Sequence, residues 1–147
     1  MIFIKNLSMG KLMIKKIFLV LLILLLTSCG VNKKNLYHIL VNDEEIIVGY
    51  DKADNLFTSF EDGKQDEDGI LTSATFYVND YDGSFIIDEI ELSPSISRNC
   101  ELFGGYMSGD ACVIEKKVSG KINRIVIYNN ILNDDLDEVD HIIVTYE

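Results

Sequence analysis

The chain has 147 residues, a length typical of one domain. Its 48% hydrophobic and 25% charged residues exclude a disordered acidic tail, and a single apolar run near the N-terminus excludes a multi-span membrane protein. With 13 Lys and Arg against 24 Asp and Glu, the formal charge is -11. This charge predicts repulsion from nucleic acid, so we expect no nucleic-acid partner.

Residues 1–28 have the features of an export signal. Lysines precede a run of ten apolar residues at 17–26, and a helix that spans a membrane needs about 20. An apolar run of this length behind lysines is typical of a signal peptide. A buried core helix and a permanent transmembrane anchor are the alternatives, but the run has no polar face and Lys15 and Lys16 interrupt a longer span. Three methionines are candidate translation starts: Met1, Met9 and Met13.

The apolar run ends in a short motif, Leu26, Thr27, Ser28 and Cys29. In this motif the chain resembles the bacterial lipoprotein family, whose lipobox consists of an aliphatic residue, two small residues and a cysteine. The resemblance implies that the Cys29 sulfur receives a diacylglyceryl group, that cleavage falls between Ser28 and Cys29, and that the new amino terminus is acylated. It covers roughly the first 30 residues and implies nothing about the fold or activity of the others.

The motif divides the chain into three parts. Residues 1–28 are the cleaved signal peptide, residues 29–35 are the lipidated cysteine with a polar tether, and residues 36–147 are a single acidic domain. Two acyl chains give stable membrane anchoring, at about 0.8 kcal/mol per buried methylene. We therefore expect an exported protein held by lipid at the cell membrane or the outer membrane. Beyond Ser28 the chain carries nine basic and all 24 acidic residues, a formal charge of -15.

From Leu36 onward, short runs of Ile, Val, Tyr, Phe and Thr alternate with turn-forming residues, a pattern typical of β-strands. The pattern predicts an all-β fold, an antiparallel sandwich or a small barrel of seven or eight strands. The alternative is an α+β fold with a helix at 132–141 or 53–60. The predicted strands lie near 36–41, 45–51, 55–60, 70–79, 84–92, 112–118, 122–129 and 139–146.

Three of the connections have the composition of tight hairpin turns. They predict that the first strand pairs with the second, the fourth with the fifth and the sixth with the seventh, all antiparallel. The seventh strand is apolar on both faces, which predicts a central position in its sheet. The turn residues are Asn42 and Asp43, Asp82 and Gly83, and Ser119 and Gly120.

Cys100 and Cys112 remain once Cys29 is lipidated. An even pair in an exported domain predicts a disulfide. Two free buried thiols are the alternative, and a thiolate nucleophile would need His38 or His141 as its base.

The segment 93–111 has no strand pattern, and long irregular loops of compact domains are often functional. Phe103, Tyr106 and Met107 lie among its glycines. The segment is interpreted either as a binding loop with an apolar tip or as a structural loop folded back on the core.

Acidic clusters at 62–69, 79–83 and 133–140 superficially match calcium loops, but each departs from the EF-hand spacing. Solvated turns in an acidic domain explain all three, so we expect no cofactor or metal. If calcium binds, the first choice of ligands is Asn133, Asp135, Asp137 and Asp140.

No catalytic motif is recognisable, although Glu89 and Glu91 are two residues apart on one predicted strand, a spacing that glycoside hydrolysis can use. We therefore expect a lipid-anchored envelope protein with a non-enzymatic binding or structural role. One alternative is an inhibitor or adhesin-like binder of a basic envelope protein that uses the segment 93–111. The other alternative is an envelope hydrolase.

Overall fold

The computed structural model describes residues 14, 16–19, 30–132 and 135–147, which form two compact units, 1–30 and 31–147. In the first unit, Ile14 and residues 16–19 are helical. The lipobox residues Leu26 to Cys29 and the three candidate starts lie outside the described residues. Within the described ranges, no helix has the length and apolarity needed to cross a membrane.

The described part of the second unit forms ten strands in two antiparallel sheets, which confirms the all-β prediction and its sandwich form. The smaller sheet has the order β2-β1-β5-β6 and the larger has the order β3-β4-β10-β9-β8-β7. The strands are β1 (Ile39–Val41), β2 (Glu44–Ile46), β3 (Glu61–Gln65), β4 (Leu71–Tyr77), β5 (Ile86–Ile87), β6 (Ile90–Glu91), β7 (Tyr106–Ser108), β8 (Ala111–Val118), β9 (Lys121–Asn129) and β10 (Val139–Tyr146). An α-helix, α1 (Ile96–Phe103), and short 3-10 helices at Lys33–Asn35, Ala53–Asn55 and Val78–Asp80 complete the described elements.

The core lies between the two sheets. Alternate residues of β9, such as Ile125 and Ile127, are fully buried, as the two-residue period of a strand requires. Phe76 of the larger sheet meets Phe85, which precedes β5, in an edge-to-face contact with ring centroids 5.7 Å apart. The smaller sheet therefore covers one face of the larger sheet.

Two of the three predicted hairpin turns are confirmed. Asn42 and Asp43 have φ values of 48° and 61°, and Ser119 and Gly120 have 53° and 80°, so both central residues of each turn have the positive φ of a type I′ turn.

The prediction that Asp82 and Gly83 join two paired strands is wrong, because β4 lies in the larger sheet and β5 in the smaller. The chain crosses between the sheets here, since Phe76 and Phe85 both belong to the core. A hairpin turn occurs instead at Asp88 and Glu89, which have φ values of 46° and 68°. It splits the predicted strand 84–92 into β5 and β6.

The predicted strand 55–60 is also wrong. The carboxylate of Glu44 accepts hydrogen bonds from the backbone N–H groups of Phe57 and Thr58, at 2.8 Å and 2.5 Å, which removes two donors from any β-ladder. The strand β3 begins only at Glu61. The helices considered for an α+β fold are absent from 53–60, where a 3-10 helix forms, and from the described residues of 132–141, where β10 begins.

A buried asparagine joins the segment before β1 to the larger sheet where the chain enters the domain. The Asn123 side chain on β9 is fully buried, its Oδ1 accepts from the backbone N–H of Tyr37 at 2.7 Å, and its Nδ2 donates to the Thr145 carbonyl at 3.0 Å. Nearby, the Lys116 ammonium lies 3.9 Å from the centroid of the Tyr37 ring. These contacts fix the first residues of the domain against the middle strands of the larger sheet.

Replacing Asn123 with Ala leaves the Tyr37 N–H buried without an acceptor. We expect a loss of about 1–3 kcal/mol in the free energy of unfolding, measured by urea denaturation of the wild type and N123A. The control is Asn55→Ala at an exposed position, for which we expect a change within about 0.5 kcal/mol. Equal stabilities of N123A and N55A would contradict the role assigned to Asn123.

Candidate functional site

The two ends of the sandwich differ in what they expose. We call the end that contains residues 31–36 the tether end, because the Tyr37 N–H contacts Asn123 near the start of β9. The β8–β9 turn and residues 66–70 lie at this end by the strand register. The opposite end, the far end, comprises the β1–β2 turn, residues 57–61 and 78–82, the β7–β8 turn, and residues 130–132 and 135–138.

Basic residues concentrate toward the tether end. The structure describes all nine Lys and Arg beyond Cys29, and eight of them lie on the tether half of the sheets while Arg98 lies near the far end. The far end carries carboxylates: Asp43, Glu44, Glu61, Asp80, Asp82, Asp110, Asp135, Asp137, Glu138 and Asp140. The tether half also carries carboxylates, such as those of Glu67, Asp68 and Glu147, so the domain is polarised by the position of its basic residues, and the far end is the more negative one.

Large apolar side chains are exposed at the same far end. Phe57 is 96% exposed, Leu132 is 89% exposed and Ile131 is 83% exposed. Monomeric soluble domains rarely present several such groups close together unless they contact a partner. Others at this end are Tyr106, Met107 and Leu136.

Three rings form a row on the outer face of the larger sheet. The His141 ring stacks on the Tyr128 ring at 4.8 Å with an interplanar angle of 10°, and on its other side lies the Tyr77 ring at 5.3 Å. Cross-strand register on β4, β10 and β9 places the three rings side by side, and the Asp140 carboxylate contacts His141 Nδ1 at 2.8 Å. This aromatic row faces away from the core.

A cleft of about 330 Å³ opens beside the aromatic row, between the β1–β2 turn and the segments 57–61 and 77–81. Its size is within the range of small-ligand pockets, roughly 300–1,000 Å³. The Tyr81 hydroxyl donates to the Ser59 carbonyl at 2.6 Å and so joins two of its walls. The lining residues are Asn42, Glu44, Phe57, Thr58, Ser59, Phe60, Glu61, Tyr77, Asp80 and Tyr81.

The electrostatic environment of the cleft is negative. Burial, together with the smaller effects of the Asp80 and Glu61 charges, raises the pKa of Tyr81 to about 12. Burial also raises the pKa of Glu44, but hydrogen bonds from the Thr58 side chain and from the backbone N–H groups of Phe57 and Thr58 outweigh it and hold that pKa below its ordinary value. Glu44 is thus ionised and Tyr81 is neutral at physiological pH.

The segment 93–111 is structured, which the sequence did not predict. Ser95 caps the start of α1 by accepting from the Arg98 N–H at 3.1 Å, and Gly104 ends the helix in the left-handed conformation. The predicted disulfide between Cys100 and Cys112 is present and joins α1 to β8. Phe103 packs against the core, whereas Tyr106 and Met107 on β7 are exposed.

A glycine allows the close approach after α1. A Cβ atom at Gly105 would lie 2.6 Å from the Val113 carbonyl oxygen and 3.0 Å from the Cys112 sulfur. The segment therefore combines a core-packed half, as the structural-loop interpretation expects, with an exposed strand, for which the binding-loop interpretation stays a prediction.

The predicted calcium ligands have other partners. Asp137 accepts from the Ser95 hydroxyl at 2.5 Å and from the Ser97 N–H at 2.8 Å, Asp135 accepts from the Asp137 N–H at 3.0 Å, and Asp140 contacts His141. Asn133 lies outside the described residues. Among the described residues, no group of three or more His, Cys, Asp and Glu side chains is arranged to hold a metal.

The groups considered for catalysis are engaged or separated. His38 Nδ1 contacts the Glu45 carboxylate at 2.7 Å and its Nε2 contacts the Lys33 carbonyl at 3.0 Å, while Cys100 and Cys112 have no free thiol. Glu89 lies in a turn and Glu91 on β6, so the prediction that both share one strand face is wrong.

Comparisons of the chain with protein-family models, with curated proteins and with solved structures found no match. The candidate functional site therefore follows from geometry. It is the far end of the sandwich, where carboxylates, exposed apolar side chains, the aromatic row and the cleft lie together.

Asp137 provides a pH-dependent contribution to the stability of this end. Hydrogen bonds from the Ser95 hydroxyl and the Ser97 N–H hold its pKa below the ordinary value. The contribution is present above about pH 4, the unfolded-state pKa, and is lost as the pH falls through the lower folded-state pKa. We expect Asp137→Ala to cost about 1 kcal/mol at neutral pH, as for loss of a helix cap.

The check is urea denaturation of the wild type, D137A and the exposed-turn control D110A between neutral and strongly acidic pH. The stability difference between the wild type and D137A should shrink toward the acid limit, while D110A follows the wild type. A difference that stays constant with pH would refute the ionised contact.

Proposed function

We propose that the protein is an exported, lipid-anchored lipoprotein of the bacterial envelope whose far end binds a basic protein. The lipobox at residues 26–29 supports the anchor. The observation that carries the binding role is the uneven distribution of side chains between the two ends. Eight of the nine described basic residues lie on the tether half, and exposed carboxylates and apolar side chains lie together at the far end.

The tether orients the domain. Seven residues, 29–35, reach at most roughly 25 Å when extended, so the lipid keeps the tether end close to the bilayer. The nine residues of β9 span about 30 Å, which holds the far end away from the membrane surface. Lys33 and Lys34 then lie near the headgroups, where a basic residue is attracted to anionic lipid.

The far end suits a basic partner for two physical reasons. Its carboxylates attract positive charge and speed association at low salt. Its apolar side chains, Phe57, Ile131 and Leu132 among them, give up exposed surface when a partner covers them, which supplies a favourable free energy of about 25 cal/mol per Å² of apolar surface before the costs of association.

Binding is favoured over catalysis by the state of the candidate catalytic groups. Both ring nitrogens of His38 contact oxygen atoms, and the His141 ring is stacked between two tyrosines. A general base needs a ring nitrogen that reaches the substrate. A non-enzymatic role accounts for these contacts without further assumptions.

The anchor is tested with Cys29→Ala, expressed in a bacterial host beside the wild type. We expect the wild type to have the mass of a diacylated or triacylated chain that starts at Cys29 and to partition into detergent. C29A should lack the lipid mass and retain residues 1–28 or appear as a soluble protein. A wild-type protein that keeps residues 1–28 with an unmodified Cys29 would overturn the anchor.

The binding role is tested with two charge-reversal variants that change the net charge equally. Asp82→Lys with Asp110→Lys alters exposed carboxylates at the far end, and Glu67→Lys with Asp68→Lys alters exposed carboxylates at the tether end. The probe is an arginine-rich peptide titrated calorimetrically into the purified protein at low salt, with a glutamate-rich peptide of the same length as the negative control.

We expect the far-end pair to weaken binding of the arginine-rich peptide about tenfold, the equivalent of about 1.4 kcal/mol, and the tether-end pair to weaken it two- to threefold at most. Added salt should reduce wild-type binding. Equal losses in the two pairs would show that net charge, and not the far end, attracts the peptide. No binding by the wild type would reject a basic partner.

A further inference from the structure

The cleft indicates which chemical group of the basic partner binds there. That the partner is a basic protein rests on the proposed function. Its walls carry three carboxylates, those of Glu44, Glu61 and Asp80, and no lining residue is basic. Glu44 is held in place by the backbone of Phe57 and Thr58. The other two are on exposed residues.

Glu61 and Asp80 are available to a ligand. Among the described residues, neither carboxylate accepts a hydrogen bond or forms an ion pair, whereas Glu44 and the Tyr81 hydroxyl are both engaged. Both charges act on the Tyr81 hydroxyl, so their fields overlap inside the cleft. Two uncompensated carboxylates in one cleft are a favourable environment for a cation.

The cleft also presents aromatic surface. Below it, the rings of Phe60 and Tyr81 pack on the buried Phe76 ring with centroids 6.1 Å and 6.3 Å away. At the rim are Phe57, whose side chain is almost fully exposed, and Tyr77, which begins the aromatic row. The exposed surfaces of these two rings, which for Tyr77 exclude the side against His141, can contact a ligand that enters between the carboxylates.

Carboxylates beside exposed aromatic rings fit a guanidinium group better than an ammonium group. A guanidinium is planar, stacks on aromatic faces, is weakly hydrated and donates to carboxylates in a fixed fork, whereas an ammonium is a compact and strongly hydrated charge. We propose that the cleft receives the guanidinium of an arginine side chain of the basic partner, between Glu61 and Asp80 and against Phe57 or Tyr77.

This arrangement assigns different tasks to the two parts of the far end. The cleft takes one arginine, and the aromatic row that continues from Tyr77 contacts the partner surface around it. Exposed carboxylates outside the cleft, such as those of Asp82 and Asp110, attract the partner without contacting that arginine. The cleft thus supplies preference for arginine over lysine, and the remaining charge supplies attraction to either.

The test uses the full-length lipoprotein purified in detergent and two neutralising double variants with the same change in charge. Glu61→Gln with Asp80→Asn alters the cleft, and Asp82→Asn with Asp110→Asn alters the same end outside the cleft. Arginine-rich and lysine-rich peptides of equal length, and free arginine amide, are titrated calorimetrically. Thermal denaturation confirms that each variant is folded.

We expect the wild type to bind the arginine-rich peptide at least fivefold more tightly than the lysine-rich one. The cleft variant should lose this preference and bind the arginine-rich peptide about tenfold more weakly, while the control keeps the preference. If the wild type shows no preference, or the cleft variant retains it while folded, the cleft assignment is wrong even though the far end binds basic peptides.

The titration with free arginine amide distinguishes a failure of the guanidinium site from a failure of the proposed function. Binding of the amide by the wild type and not by the cleft variant, without binding of either peptide, would keep the guanidinium site and reject the basic protein as its source. Binding of both peptides without any effect of the cleft variant would keep the basic partner and reject the guanidinium site.

Discussion

Packing of the smaller sheet on one face of the larger sheet is the constraint on which the rest of the structure depends. It buries side chains of β4, β8, β9 and β10, in regular alternation along β9, while the outer face of the larger sheet carries the aromatic row. Asn123 bonds the backbone of Tyr37, just before β1, and that of Thr145 on β10, so the chain enters the domain near the start of β9. The position of the tether, and with it the identity of the opposite end, follows from this contact.

The far end is built from connections, yet its parts are fixed by specific contacts. Asp137 binds the first turn of α1, Asn99 holds both backbone groups of Ser93, and the disulfide joins α1 to β8. Glu44 holds the segment that carries Phe57. Exposed apolar side chains at this end are therefore displayed on a restrained framework, which reduces the entropy that a binding surface loses when a partner orders it.

For the proposed lipid-anchored protein, the distribution of charge and the position of the tether favour the same orientation. Electrostatic attraction along one axis needs separated charges, and the strand register separates them, because the basic residues of β8, β9 and β3 all lie beyond the middle of the sheet toward the tether. From the net charge alone, the protein would be expected to be repelled by anionic membranes in every orientation. For the proposed function, the positions of the basic residues make the tether end the less repelled by anionic lipid and the far end the more attractive to a basic protein.

The sequence by itself determined the all-β class, the long strands β8 to β10, two type I′ turns and the disulfide pair, because these depend on local alternation, on turn residues and on cysteine number. It also predicted the lipid anchor at Cys29, which lies outside the described residues. Only the tertiary structure decided that β4 and β5 belong to different sheets, that residues 57 and 58 bond to Glu44, and that Asp137 caps a helix, because each depends on groups far apart in the chain. The cleft and the aromatic row were decided in the same way, since Glu61, Asp80 and Phe57, and the rings of Tyr77, Tyr128 and His141, meet only once the strands are in register.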